Sequence, residues 1–440
     1  MRKKLSFVSL WLMCLLFVNI SIIPACAVKN EINFKTKTEV LYLVNLDTDT
    51  VVYSKNADKK CYPASTTKIM TYIIVAEKIQ DFENTKVTIK PDVLEQLLGT
   101  DSSLSGIENY AKKELSVYQL LNCMMVSSGN DAALVLADFI GNGDVESFVA
   151  MMNEKAAQLG CKKTHFTNPH GLHDDEQYTT APDMVKIAKF AMTMPYFTDI
   201  TNTVEYYIDG DMDVPLTTTN KMINPDEKDY FYKYAKGIKT GTTDEAGHCL
   251  VSTALKDNVS YMCVAYKAPC YDENDEWYDT NYAILESKKV YEWAYENIAM
   301  REVLGKDSVV NSIAVNYGKD SEKINLVPEF PYSTMLGKDV NSEAISIVAS
   351  CQSVIDAPVS KGTVLGTATI SYNGEELTKI NLVAQNDIEK SETAYFLAIA
   401  KNIVSSSLFK IVVMSVAALF VIYALFIILS TKNKKSSRKK

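Results

Sequence analysis

Tyr62-Pro63-Ala64-Ser65-Thr66-Thr67-Lys68-Ile69-Met70 is the stretch on which the fold and the chemistry turn. A serine and a lysine three residues apart share a face if the segment is helical. The residues that follow, Ile69 to Ile79, are apolar on almost every side, which predicts a helix buried in a core. Pro63 and Ala64 lead into it, so Ser65 is expected at the helix start. There the unpaired N–H groups and the helix dipole favour negative charge near the serine oxygen. A lysine one turn on, held neutral by burial or by neighbouring cations, can take the serine's proton. The plainer reading makes Ser65 a helix N-cap and Lys68 an exposed cation. The motif is weak alone, because the pattern S-x-x-K also begins at Ser407, Ser436 and Ser437, at or beyond a C-terminal apolar segment.

Both ends of the 440-residue chain point to export. Arg2, Lys3 and Lys4 precede an apolar run from Leu5 to Ile23 and then Ala25-Cys26-Ala27, which reads as a signal peptide over residues 1–27. Residues 411–430 carry no charge and have the length of a membrane span. The basic tail over 431–440 holds Lys432, Lys434, Lys435, Arg438, Lys439 and Lys440, so by the positive-inside rule it is expected in the cytoplasm. The expected location is the cell membrane, crossed once, with the bulk of the chain outside. The net charge of −9 hides an asymmetry: without the nine bases of the two ends, 36 basic residues face 54 acidic ones. So acidic an outer part argues against nucleic acid as a partner. Seven cysteines remain beyond the signal region, an odd and scattered set that does not read as a disulfide framework. Four histidines, without C-x-x-C or H-E-x-x-H, argue against a metal site, and no cofactor is implied.

Between the ends the pattern is α+β. Val40 to Tyr53 reads as a hairpin. Leu115 to Val126 and Asp131 to Ile140 read as two buried helices joined tightly at Ser128-Gly129-Asn130, where Gly129 permits a positive φ. Asp101 to Gly106 reads as a surface loop. His248 to Leu255 and Val259 to Tyr266 read as adjacent antiparallel strands, and a helix over about 280–297 closes this half. Residues 35–300 are therefore taken as one domain, which carries Ser65 and Lys68 and is the expected catalytic one if that pair is active. Residues 301–392 turn to short alternating segments with a hairpin signal at Asn373-Gly374, expected to form a small all-β domain. Residues 393–410 link it to the span.

Three islands stand in order: Ser65-Thr66-Thr67-Lys68, Ser128-Gly129-Asn130 and Lys239-Thr240-Gly241, separated by 63 and 111 residues. S-x-x-K with a middle S-x-N and K-T-G is a worked motif of penicillin-binding proteins and class A β-lactamases. With the flanking Ile69-Met70-Thr71, Asp131-Ala132-Ala133 and Thr242-Thr243, the set closely resembles the D-alanyl-D-alanine carboxypeptidases. That resemblance implies an antiparallel sheet flanked by helices, and a peptidoglycan stem peptide as substrate. It implies acylation by β-lactam antibiotics as well. It implies Ser65 as nucleophile, Lys68 as its base, and Ser128 relaying a proton to the leaving D-alanine with help from Lys239. Asn130 would hold the peptide carbonyl and the Lys68 amine, Thr240 the terminal carboxylate. The backbone N–H groups of Ser65 and Thr242 would form the oxyanion hole. In several relatives an arginine in the last helix of this domain helps bind the carboxylate; here that position matches Ala283. His165, His170 and His173 are read as hydrogen-bonded or exposed residues of a turn, and His248 as a candidate for the cleft wall. Two other readings remain: a serine β-lactamase, which leaves the β domain and the span unexplained and lacks a Glu in an E-x-x-x-N setting, and a non-catalytic wall-binding scaffold, which the intact Ser65, Lys68, Ser128 and Lys239 argue against.

Overall fold

The computed structural model describes residues 32–100, 102–110, 113–208, 215–272, 274, 276, 277 and 280–436. The signal-peptide segment lies outside these residues. The chain divides into two compact units, one of residues up to Arg301 with Thr334–Ala344, the other of Glu302–Ser333 and Ile345 onward.

The principal elements of the first unit, in chain order, are β1 (Val40–Asn45), β2 (Val51–Lys55), α1 (Lys68–Lys78), α2 (Val117–Met125), α3 (Asn130–Ile140), α4 (Val145–Gln158), α5 (Ala181–Ala191), β3 (Ala235–Thr243), β4 (Gly247–Lys256), β5 (Val259–Ala268) and α6 (Tyr282–Asn297). The five strands form an antiparallel sheet in the order β2-β1-β5-β4-β3. Side chains alternate across a strand, and each face has its own core. Val40, Val44, Met262, Val264 and Tyr266 pack with α1, α2, α3 and α5, whereas Leu41, Leu43, Tyr261, Cys263 and Ala265 pack with α6. The Tyr291 hydroxyl of α6 donates to Ser252 O at 2.7 Å and accepts from Cys263 N–H at 2.9 Å, fixing that helix to the sheet.

α1 is buried from Lys68 through Val75 and packs against α3, α4 and α5. This explains its uninterrupted apolar run, because a helix apolar all round must be covered all round. α2 opens with a capping box between Ser116 and Gln119. Thr180 stands at the N-cap of α5 with Pro182 in the first turn, but its side chain makes no capping bond.

In the second unit the strands are β6 (Asn311–Asn316), β7 (Lys323–Pro328), β8 (Ile345–Cys351), β9 (Val354–Asp356), β10 (Val364–Tyr372) and β11 (Glu375–Ala384). They form a six-stranded sheet in the order β8-β10-β11-β7-β6-β9 around a core that includes Ile313, Ile324, Leu326, Ala368 and Leu382. The β10–β11 hairpin turns at Asn373 and Gly374, both with positive φ, as the Asn-Gly pair leads one to expect. The chain then enters α7 (Glu392–Ser405) and α8 (Ser407–Ser436). Within α8, the 22 residues Ser407–Ile428 are long and apolar enough to cross a membrane, and none is buried.

Candidate active site

Ser65 is not an N-cap. It sits inside a 3-10 turn, Ala64–Thr67, that runs straight into α1. Ala64 takes a left-handed φ of 46°, which an L side chain adopts at a cost of about 1–2 kcal/mol. The opposing wall explains how that turn is held. A Cβ on Gly171 would stand 2.0 Å from Ala64 O, so only glycine lets the loop close on the turn there. From the other side a Cβ on Gly241 would stand 2.8 Å from Ser65 N. β3 is thus pressed against the backbone of the serine.

Lys68 is completely buried. Its Nζ lies 2.9 Å from Ser65 Oγ, 2.6 Å from Asn130 Oδ1 and 2.7 Å from His170 O. Burial first, and then the charge of Lys239, push its pKa well below the ordinary lysine value, with Asp131 pulling the other way. A neutral amine has two N–H donors and one lone pair. Two of its neighbours, an amide oxygen and a backbone carbonyl, only accept. The Asn130 amide is oriented by its Nδ2 group, which donates to Ser102 Oγ at 3.2 Å. The two N–H groups are therefore committed to Asn130 and His170, and the lone pair faces the Ser65 hydroxyl.

The middle island departs from expectation in one respect. Gly129 has an ordinary negative φ of −59°, and the positive φ, 64°, belongs to Ser128. Gly129 is needed for space, since a Cβ there would lie 2.5 Å from Asp131 Oδ1 and 2.7 Å from Ser105 Oγ. The Ser-rich segment read as a surface loop is also a wall of the site. Ser103 O accepts from Asn130 N–H at 2.8 Å, and Ser105 N–H and Oγ–H donate to the buried Asp131 carboxylate. Asp101 of that segment lies outside the described residues.

Lys239 is buried on β3, and its Nζ donates to Thr240 O at 3.1 Å. Burial pushes its pKa down to about 7. Thr240 is buried too, and its hydroxyl lies 2.6 Å from that of Thr219. Ser65, Asn130 and Thr242 line an open cleft of about 330 Å³ together with Ser103, Gly171, Leu172, His173, Thr243, Asp244, Glu245 and Trp277. Lys68, Ser128, Lys239 and Thr240 are buried and do not line it.

Two of the three histidines read as turn residues belong to the site. His170 supplies its carbonyl to Lys68, and burial with the charge of Lys68 pushes its ring down to about 3, so the imidazole is neutral. His173 lines the cleft, edge-on to Tyr62. Neither was legible as functional, because a main-chain carbonyl has no residue signature and His173 reaches the cleft only through the fold of its loop. His165 is exposed, with Nδ1 2.8 Å from Glu176 O. Ala283 is fully buried in the core beneath α6 and does not line the cleft.

Comparison with known proteins agrees with this geometry. Residues 27–269 match the family profile described as D-alanyl-D-alanine carboxypeptidase, and residues 299–390 match the C-terminal domain of penicillin-binding protein 5. The chain is 30% identical over 372 residues to the D-alanyl-D-alanine carboxypeptidase DacF of Bacillus subtilis, covering 84% of this chain and 90% of that one. It is 28% identical to the carboxypeptidase DacA of Haemophilus influenzae over 79% of this chain and 84% of that one. Among solved structures, penicillin-binding protein 5 from Haemophilus influenzae superposes with a TM-score of 0.61 at 26% identity, over 82% of this chain and all of that one. The serine–lysine pair, its walls and these matches together establish that the chain belongs to the D-alanyl-D-alanine carboxypeptidases, serine-type peptidases of the penicillin-binding class.

Proposed function

We propose that Ser65 cleaves the terminal D-alanine from peptidoglycan stem peptides through an ester intermediate, with Lys68 as its base. The observation that carries this is the contact set of Lys68, whose two acceptor partners leave only its lone pair for the serine hydroxyl. The proton of Ser65 Oγ passes to Lys68 Nζ as the oxygen attacks the carbonyl carbon of the D-Ala–D-Ala amide. The negative oxygen that forms is held by the N–H groups of Ser65 and Thr242. Ser128 relays the proton that Lys68 took up to the departing amine of D-alanine, and the C–N bond breaks. Lys239 keeps the terminal carboxylate in place by charge, with Thr240 behind it, and Asn130 holds the peptide carbonyl. Water then cleaves the ester and frees Ser65. A β-lactam ring enters by the same first step and leaves Ser65 acylated.

The location proposed is the outer face of the cytoplasmic membrane, with α8 as a single span and the basic tail on the inner side. Support comes from the length of Ser407–Ile428 and from the six basic residues after it. A β-lactamase or a non-catalytic scaffold is not favoured, because the curated relatives are carboxypeptidases and the match runs on through the β domain.

The test uses labelled penicillin and an N-acylated L-Lys-D-Ala-D-Ala peptide. The wild-type protein is expected to give a long-lived adduct and to release D-alanine. Ser65→Ala is expected to give neither, a loss of several orders of magnitude. Rapid turnover of the penicillin would reinstate the β-lactamase reading, and labelling that survives Ser65→Ala would sink the assignment.

A further inference from the structure

The cleft has to hold an anion, yet none of its described lining residues is lysine or arginine, and Asp244 and Glu245 stand on its rim. Lys239 acts from behind, buried. A directional neutral donor on the open wall is therefore needed to place a carboxylate, and one is prepared.

His248 lies on β4 directly across from Thr242 on β3. Its ring is buried, with 7% exposure, whereas Thr242 is exposed to the cleft. His248 Nδ1 is 3.1 Å from Thr242 Oγ1. Nε2 is buried and has no hydrogen-bond partner. Burial lowers the pKa of this ring, so it is neutral at working pH and carries a single N–H. If the hydrogen sat on Nε2 it would be an orphaned buried donor, an arrangement that folded proteins avoid. On Nδ1 it has a partner, the Thr242 oxygen, and only a lone pair is left unmatched. Thr242 then accepts from His248, and its own hydroxyl hydrogen is turned to the open side. Trp277, half exposed on the cleft wall, crosses the imidazole edge-on at 5.4 Å between ring centroids and shields it from solvent.

We propose that His248 is a positioning residue whose Nδ1–H holds the Thr242 hydroxyl as a donor aimed at the carboxylate that ends the substrate. This rests on the reading of the cleft given above. It gives the chain a route to carboxylate selectivity that uses two neutral groups and a buried lysine, with no cation on the open wall.

The experiment compares hydrolysis of an N-acylated L-Lys-D-Ala-D-Ala peptide with that of the same peptide ending in a carboxamide. In wild-type protein the free acid is expected to be preferred. In His248→Leu the ratio of kcat/KM values, acid over amide, is expected to fall about tenfold, the worth of one hydrogen bond to a charged group, chiefly through KM. His248→Asn, whose amide nitrogen takes the place of Nδ1, is expected to restore most of that ratio. An unchanged ratio in His248→Leu overturns the proposal, as does an equal fall in Leu and Asn variants. Nitrogen chemical shifts of the His248 ring give an independent check: a hydrogen on Nε2 overturns it as well. A wild-type protein that cleaves neither peptide yet is acylated by penicillin at Ser65 defeats the carboxylate argument alone. One that penicillin does not label defeats the reading of the site.

Discussion

The mechanism proposed for this protein depends on two lysines kept out of water. Lys68 and Lys239 are both fully buried, and burial is the leading reason that each has a lowered pKa. Only neutral Lys68 can accept the serine's proton, so acylation is lost as pH falls through its lowered pKa. Only charged Lys239 attracts a carboxylate, so capture weakens as pH rises through its own. Acylation by penicillin is therefore expected to trace a bell with an acid limb well below pH 10.5, its two apparent values belonging to the pair. Stopped-flow acylation between pH 5 and pH 10 measures it, and Lys239→Arg, charged throughout, is expected to lose the alkaline limb. A rate that stays flat across this range would count against Lys68 as the base. At this scale the sequence was partly legible. Ser65 and Lys68 stood out by residue type and spacing, and Asn130 and Lys239 through the resemblance of the three islands to a known motif. The positive φ of Ser128, the carbonyl of His170 and the Nδ1 contact of His248 could not, because backbone angles and main-chain partners are set by what the rest of the molecule presses against them.

Among the elements, the fit that bears on the serine is that between β3 and the 3-10 turn that carries Ser65. Gly241 is the residue that allows it, its bare Cα lying against the serine backbone, where a methyl group would meet Ser65 N at 2.8 Å and Ala64 Cβ at 2.9 Å. Gly241→Ala is expected to lift β3 from the serine and to cut acylation by about 100-fold, as loss of an oxyanion donor does. The fold should survive, at a cost of about 1–3 kcal/mol in denaturant unfolding. Acylation within threefold of wild type would show that this approach is not needed. The elements themselves were largely readable. The buried helix after Ser65, the hairpin at Val40, the β4–β5 pair and the Asn373-Gly374 turn follow from apolar runs, alternation and turn residues. The error fell where sequence alone suggested a conformational reason for glycine and the structure shows a steric one, at Gly129. The Ser-rich loop is exposed at Ser103 and Leu104, as its polarity leads one to expect, but Ser105 is buried against Asp131.

At the scale of the whole chain, the question is what covers its apolar C-terminal helices. α7 leaves Phe396, Leu397, Ile403 and Val404 exposed, and α8 exposes apolar side chains along its first 22 residues. Such a surface is stable only against lipid or another protein. Ending the chain after Ser391 is expected to move it from the membrane to the soluble fraction while it still binds labelled penicillin; fractionation with labelling measures both. Retention of the shortened chain in the membrane would show that the anchor lies elsewhere. A thiol placed in the basic tail, reached by a permeant but not by an impermeant reagent in intact cells, would support an inner tail, and the reverse result would overturn the proposed orientation.

The sequence by itself determined the chemical class: three short islands in fixed order, an apolar segment of bilayer length and the alternation of a β domain are local patterns, and local patterns survive in a string of letters. The tertiary structure alone decided which groups meet. Lys68 is fitted for the proposed role of base because three segments, the 3-10 turn at Ser65, α3 and the loop at His170, surround it, and the last two occupy its two N–H groups. Thr242 rather than Thr240 opens on the cleft, because Thr240 is buried with its hydroxyl against that of Thr219. Burial and the direction of a hydrogen bond depend on neighbours that are distant in sequence, and no residue carries that information alone.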